Sequence, residues 1–282
     1  MKILLLGVFK ANSTSIVHEK GFLDAGCQVI RYDYRKNRGD EGIIEKCKKE
    51  NPDIIFFPKC NGVHYRVIVE CKKICKTILW YMDGIAPHCF NTELFEKIKR
   101  CDFFACGIEG GVKKGLELNK NTKYIFQPAD DLINKPLNIK RDIDVSFIGD
   151  MSMTPAHKNR RKYYNFVKFT HFNGIYGSKH NEIVNRSKIN LNFAPPNGAG
   201  TSVRFYKLLL SGAFILTTPW IDMEKSFTIG EHLDIFTTPT ELKEKIKYYI
   251  ENPDEMERIR YNISLIRDEY TPLKWAEKIL NS

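Results

Sequence analysis

Long hydrophobic runs are absent from this chain of 282 residues. Its apolar runs, such as 3–8 and 208–210, are far too short to span a bilayer. The N-terminal run is also short for a signal peptide and lacks a small-residue cleavage site. The sequence therefore predicts a cytoplasmic globular protein, and an aromatic content of 12% argues against disorder.

Cysteine is missing after position 106, and the eight cysteines up to that position form no Cys-x-x-Cys pair. This spacing argues against a zinc site. Several of them lie in apolar stretches, so we expect reduced, buried thiols. The loop after the first predicted strand lacks a Gly-x-Gly-x-x-Gly motif, and we expect no dinucleotide cofactor. Asp142 and Asp144 lead into a buried strand, so no metal is assigned to them.

Acidic residues are in the minority, because 34 Asp and Glu accompany 44 Lys and Arg and give a formal net charge of +10. Residues 1–140 hold 24 basic and 17 acidic side chains, whereas residues 141–282 hold 20 and 17. A basic excess favours polyanionic partners such as nucleic acid, an anionic membrane surface or a phosphorylated substrate. The alternative is solubility in a lysine-rich sequence.

Apolar runs alternate with helical segments along the chain, a pattern typical of doubly wound α/β domains. We predict two Rossmann-like domains that face a cleft, over residues 1–135 and 136–265, with a polar linker at 130–142. Residues 266–282 are predicted to form a C-terminal helix that crosses back to the first domain. The predicted strands are 2–9, 27–34, 53–58, 77–82, 103–108, 124–127, 144–149, 169–176, 188–193 and 214–218; the predicted helices are 14–26, 40–50, 64–75, 91–100, 109–119, 156–167, 180–187, 202–212, 239–251, 253–268 and 272–280.

A glycine-rich loop leads into a helix over residues 195–207. Gly198 and Gly200 let the backbone approach a ligand closely, and Thr201 or Ser202 is placed to cap the helix. A helix N-terminus attracts phosphate, and Arg204 in the first turn offers a bidentate donor. The alternative is an ordinary capped helix with a surface arginine.

Basic residues also open the helix that follows the first strand of the second half. Lys158 or Arg160 there suits a phosphoryl leaving group, which needs nearby positive charge. The alternative is a solvated helix start.

In the first half, Asp83 and His88 follow the fourth strand, where either is placed to act as a general base on a hydroxyl group. An Asp-Gly pair is equally common as a simple turn.

Several segments resemble GT-B glycosyltransferases, and the spore-maturation CgeB-like group most of all. This resemblance implies a nucleoside diphosphate sugar as donor, held mainly by the second domain, with the acceptor held mainly by the first. It implies a donor role for Arg204 and places Glu231 near the sugar, although a loop carboxylate is the alternative for Glu231. The segments are 187–193, 203–217, 229–236 and 239–242, preceded in the expected order by 79–83, 127–130 and 144–149.

Lys10, Asn12 and Ser13 follow the first strand and are candidates for the acceptor side.

Lys207 departs from the family pattern, which places Glu three residues after the arginine. The resemblance implies that this Glu receives the ribose hydroxyls of the donor, and a lysine has no acceptor for them. Lys207 is instead suited to a phosphate, as a point charge.

The sequence thus predicts a metal-independent glycosyltransferase that needs no cofactor besides its donor substrate. The acceptor is a hydroxyl of a glycan, a lipid carrier or a modified nucleobase in DNA, and the basic excess favours an acidic acceptor, DNA or lipid phosphate. Lys207 supports the alternative of a non-catalytic protein that binds nucleotide sugars.

Overall fold

The chain forms two compact α/β units in a computed structural model. The structure describes residues 1–11, 13–37, 39–83, 92–154, 157–195 and 198–282, except for the side chain of Lys158. The first unit comprises Met1–Pro128 together with Pro272–Ser282, and the second comprises Ala129–Thr271. These boundaries lie a few residues from the predicted ones at 135 and 265. The first unit is thus discontinuous in sequence, because its last helix comes after the whole second unit.

A six-stranded parallel sheet forms the first unit, in the order β2-β1-β3-β4-β5-β6. Its central strands are continuous apolar runs because helices cover both faces of the sheet. The strands are β1 Lys2–Gly7, β2 Gln28–Asp33, β3 Ile54–Pro58, β4 Lys76–Tyr81, β5 Phe103–Cys106 and β6 Thr122–Tyr124; the helices are α1 Thr14–Asp24, α2 Asp40–Glu50, α3 Tyr65–Lys72, α4 Thr92–Arg100, α5 Val112–Leu118 and α11 Pro272–Leu280.

Helix α11 is held to the first unit by aromatic packing. Trp275 is fully buried and stacks on His18 of α1, with the ring centroids 4.6 Å apart. Phe56 of β3 and Trp80 of β4 pack edge-on against the same two rings. Gly21 allows the close approach of α1 and α11, because a Cβ atom there would collide with the carbonyl oxygen of Pro272.

A five-stranded parallel sheet forms the second unit, in the order β11-β10-β9-β7-β8. The connections leave β7 in opposite directions, to β8 on one side and eventually to β9 on the other. The second unit therefore has its topological switch point between β7 and β9. The strands are β7 Ile143–Ile148, β8 Thr170–Phe172, β9 Ser187–Asn192, β10 Ile215–Thr217 and β11 Asp234–Ile235; the helices are α6 Lys158–Val167, α7 Gly177–Arg186, α8 Val203–Leu210, α9 Pro239–Glu251 and α10 Pro253–Ile266.

The segment 130–142, predicted as a polar linker, is docked on α7. Asn185 accepts from the Leu137 amide at 2.8 Å and donates to the Lys135 carbonyl at 3.1 Å. Asn181 donates to the same Lys135 carbonyl at 2.9 Å. Both asparagines are buried, and their amide groups replace the backbone partners that an irregular segment lacks.

Candidate functional site

Two loops meet at the switch point of the second unit, one after β7 and one after β9. The chain leaves β7 through Gly149 and Asp150, and it leaves β9 through a loop that ends at α8. Ligands of open parallel sheets bind beyond such strand ends. The candidate site is therefore built from these loops and from the first turns of α6 and α8.

Arg204 lies in the first turn of α8 and points across the end of β7. Its guanidinium carbon lies 4.9 Å from the centre of the Phe147 ring, and its Nη1 is buried with no hydrogen-bond partner among the described residues. Gly149 makes room for this arginine, because a Cβ atom there would lie 2.9 Å from Nη2. A buried donor of a charged group is costly to leave unsatisfied. The arrangement is therefore suited to receive an anion.

Arg160 of α6 reaches the same ring. It is 7% exposed, its guanidinium carbon lies 5.5 Å from the Phe147 centroid, and its Nη1 donates to the Asp150 carbonyl at 2.5 Å. The alternative of a solvated basic helix start is wrong for this residue. Burial, and then the charge of Arg160, lower the pKa of Arg204, as expected for a buried cation beside a like charge.

Lys207 and His180 line a cavity of about 240 Å³ together with Gly149, Asp150 and Arg204. Burial and the neighbouring Arg204 lower the pKa of Lys207. Burial lowers the pKa of His180 to about 3, with smaller contributions from Lys207 and Arg204. Lys207 forms no ion pair with any described residue, so its positive charge is available to a ligand.

The loop after β9 is shaped by Gly198. Its backbone has φ +61°, in the left-handed region that favours glycine, and its carbonyl accepts from the Ile221 amide at 2.7 Å. Gly198 and Arg160 line a second cavity of about 160 Å³ near the ends of β9 and β10. Ser202 occupies the N-cap position of α8, but its side chain makes no capping hydrogen bond, so the predicted cap is wrong for this residue.

Four other predicted donor residues lie outside this group. Gly200 and Thr201 lie in the last part of the loop before α8, and Thr201 is buried. Glu231 is exposed in the loop before β11 and lines neither cavity. Lys158 begins α6, and its side chain lies outside the described structure.

The predicted acceptor-side residues belong to the first unit. Asp83 follows β4 and forms an ion pair with Lys59, which follows β3 and has φ +58°. The carboxylate proposed as a general base is therefore already matched by a cation. Lys10 and Ser13 lie between β1 and α1, whereas Asn12 and His88 lie outside the described residues.

Sequence reasoning missed Asp150, His157 and His180 in the second unit. Asp150 lies two residues after the end of β7, and His157 stands at the N-cap of the basic helix α6. Their positions next to a strand end and a helix start were signals that the sequence offered. His180 lies inside α7, where a lone histidine gives no such signal.

In the described part of the chain, no set of three or more His, Cys, Asp or Glu side chains is arranged to hold a metal ion. No helix within the described ranges is long and apolar enough to cross a membrane.

Two α/β units, each built on a parallel sheet, with Arg204 and Arg160 grouped around Phe147 at the strand ends of the second, define an α/β protein with a basic site at its topological switch point. The family described as glycosyl transferase-like matches residues 131–281, and the chain belongs to this family. The fold is GT-B, as the sequence predicts. Among curated proteins, none matches this sequence.

Solved structures of the same fold cover nearly the whole chain. HepE of Anabaena, in complex with UDP and glucose, matches with a TM-score of 0.71 and 10% identity over 100% of this chain and 98% of that one. A glycosyltransferase from Rickettsia africae matches with a TM-score of 0.65 and 13% identity, covering 99% and 97%. Sucrose-phosphate synthase from Thermosynechococcus elongatus has a TM-score of 0.65 and 10% identity, covering 99% and 97%.

Proposed function

We propose that this protein transfers a sugar from a nucleoside diphosphate sugar to an acceptor hydroxyl group, with the donor diphosphate held at the switch point of the second unit. The single observation that carries this proposal is Arg204, whose buried Nη1 has no partner among the described residues. A planar guanidinium with a free donor edge is the group that proteins use most often for bidentate phosphate recognition.

The chemistry of transfer explains why the cations are grouped. When the bond from the sugar to the diphosphate breaks, negative charge develops on the leaving phosphate. Arg204, Arg160 and Lys207 stabilise that charge without reorganisation, because they are already held in place by packing and by the Asp150 carbonyl. Lys207 acts in this scheme as a phosphate contact, since it lacks the acceptor needed to receive ribose hydroxyls.

UDP-glucose is the first donor to test. Crystal structures of HepE, which share this fold, contain UDP or UDP-glucose. Membership of the CgeB-like group is part of the proposal, and its support is the set of segments between 187 and 242 that resemble that group. The donor is a substrate, and the proposal includes no further cofactor and no metal.

The acceptor is proposed to bind the first unit near Asp83 and Lys10. The ion pair between Asp83 and Lys59 suits the carboxylate to hold an acceptor hydroxyl in position. His88 and Asn12 complete the proposed acceptor side. The excess of positive charge in this unit supports an acidic acceptor, DNA or lipid phosphate.

Arg204→Gln tests the donor site directly. We expect UDP-glucose to bind about 10- to 100-fold more weakly, because a charge-assisted hydrogen bond contributes about 1.5–3 kcal/mol. The measurement is titration calorimetry. Arg258→Gln is the matched control, since Arg258 is exposed in the same unit and pairs with Glu255. Equal affinity of Arg204→Gln and the wild type would contradict the proposal.

Lys207 favours a second candidate, a protein that binds nucleotide sugars without turnover. Product analysis over a panel of glycan, lipid-phosphate and DNA acceptors separates the two functions. Sugar transfer to any acceptor supports the enzyme. Tight donor binding with neither transfer nor donor hydrolysis supports the binding protein.

A further inference from the structure

His157 and Asp150 form a pair beside the arginine cluster. Nδ1 of His157 lies 2.8 Å from Oδ2 of Asp150, with the hydroxyl groups of Ser152 at 3.3 Å and Thr154 at 3.2 Å from the same nitrogen. The Ser152 amide and hydroxyl both donate to the Asp150 carboxylate at 2.8 Å and lower its pKa. Asp150 is therefore an anion that accepts from Nδ1–H.

This arrangement fixes which nitrogen of the imidazole meets a ligand. Because Nδ1 carries the proton bonded to Asp150, Nε2 of neutral His157 has a lone pair and no hydrogen. The ring contacts of His157 with described residues all use Nδ1. Nε2 becomes a donor only when the ring is protonated.

The pair is connected to the anion site through Asp150. Asp150 lines the cavity of Arg204 and Lys207, and its carbonyl receives Arg160. The groups that act on His157 are Asp150, Arg160 and Arg204. Burial and the two arginines lower the pKa of His157, and the Asp150 carboxylate opposes them. An anion bound to the arginines cancels their effect and favours the imidazolium.

We infer that His157 is a proton-coupled ligand of the donor diphosphate: binding of the nucleotide sugar takes up at most one proton, at Nε2, which then donates to a phosphate oxygen. Asp150 is the positioning residue that holds the ring with Nε2 directed away from itself. This inference rests on the proposed function, because it needs a diphosphate at Arg204.

The test is titration calorimetry of UDP-glucose at pH 6.5 in buffers of different ionisation enthalpy. UDP-glucose is a suitable probe, because its two phosphates are diesters that do not titrate near this pH. The wild type is expected to take up a fraction of one proton, and its Kd is expected to rise with pH by up to tenfold per unit between the free and bound pKa of His157. His180 does not compete, because its pKa of about 3 keeps it neutral throughout.

His157→Gln keeps a side-chain donor that does not titrate, so this variant is expected to bind UDP-glucose with no proton uptake and with a flat pH profile. His64→Gln, which removes a half-exposed imidazole of the first unit, is expected to retain the uptake. Wild-type binding without uptake, or uptake that persists in His157→Gln, overturns the inference and leaves the proposed function intact. Failure of both UDP-glucose and inorganic diphosphate to bind overturns the two together.

Discussion

We expect a single buried histidine, His18, to make the first unit less stable in acid. His18 is 0% exposed, lies between Trp80 and Trp275, and has no hydrogen-bond partner for either ring nitrogen among the described residues. Burial lowers the pKa of His18 to about 3. The folded state therefore holds the neutral ring, whereas the unfolded state protonates it near pH 6.5.

The sign of the effect follows from linkage. Stability from His18 is complete above pH 6.5 and is lost as the pH falls from there toward 3, because only the unfolded state takes up the proton. From pH 7 to pH 5 the free energy of unfolding of the wild type should therefore fall by about 2 kcal/mol more than that of His18→Phe. Urea denaturation at both pH values measures this, with His64→Gln expected to match the wild type. An equal loss in His18→Phe and the wild type would rule out the neutral buried ring.

At the scale of elements, Asn185 decides how the segment 130–142 is held. It is 3% exposed, and its amide bonds the backbone of Lys135 and Leu137. Asn185→Leu keeps the volume but leaves those backbone groups unpaired, so we expect a loss of about 2–3 kcal/mol in the free energy of unfolding. Hydrogen exchange should also quicken at the Leu137 amide. Asn262→Leu is the control, since Asn262 on α10 bonds no described residue through its side chain; equal destabilisation by both would refute the docking role.

The same asparagine shows where sequence reasoning stops. The strands and helices follow from local periodicity, and α2 and α9 fall on their predicted residues, 40–50 and 239–251. The docking of 130–142 depends on contacts more than 40 residues apart, which a polar, proline-containing stretch does not reveal. Strand β11 was missed because two residues have no period.

The candidate site could likewise be predicted only in part from the sequence. Arg204 and Gly198 were predicted because a glycine-rich loop before a helix has a recognisable chemistry. The sequence did not predict that Arg204 and Arg160 contact the same ring, Phe147. These side chains lie on α8, α6 and β7 and come together only in the folded unit. Asp150 and His157 were missed although their positions near a strand end and at a helix start were visible in the sequence.

At the scale of the whole molecule, the two structural units divide the charge more unevenly than the two halves of the sequence do. The first unit, 1–128 with 272–282, holds 24 basic and 16 acidic side chains, a net charge of +8. The second unit, 129–271, holds 20 and 18, a net charge of +2. Solubility alone gives no reason for such a division, whereas an acidic acceptor on the first unit does.

The corresponding prediction concerns salt. If the first unit binds the phosphates of its acceptor, affinity for duplex DNA or for anionic lipid vesicles should fall at least about tenfold between 50 and 200 mM salt, which corresponds to about two neutralised phosphates. Co-sedimentation and gel-shift titrations measure this, with uncharged lipid vesicles as the control. Binding to only one of the two anionic probes identifies the acceptor class. Every phosphate contact releases counterions, so an affinity that does not change with salt would contradict an acidic acceptor. Equal binding to uncharged vesicles would contradict it as well, and solubility would then be the explanation of the positive charge.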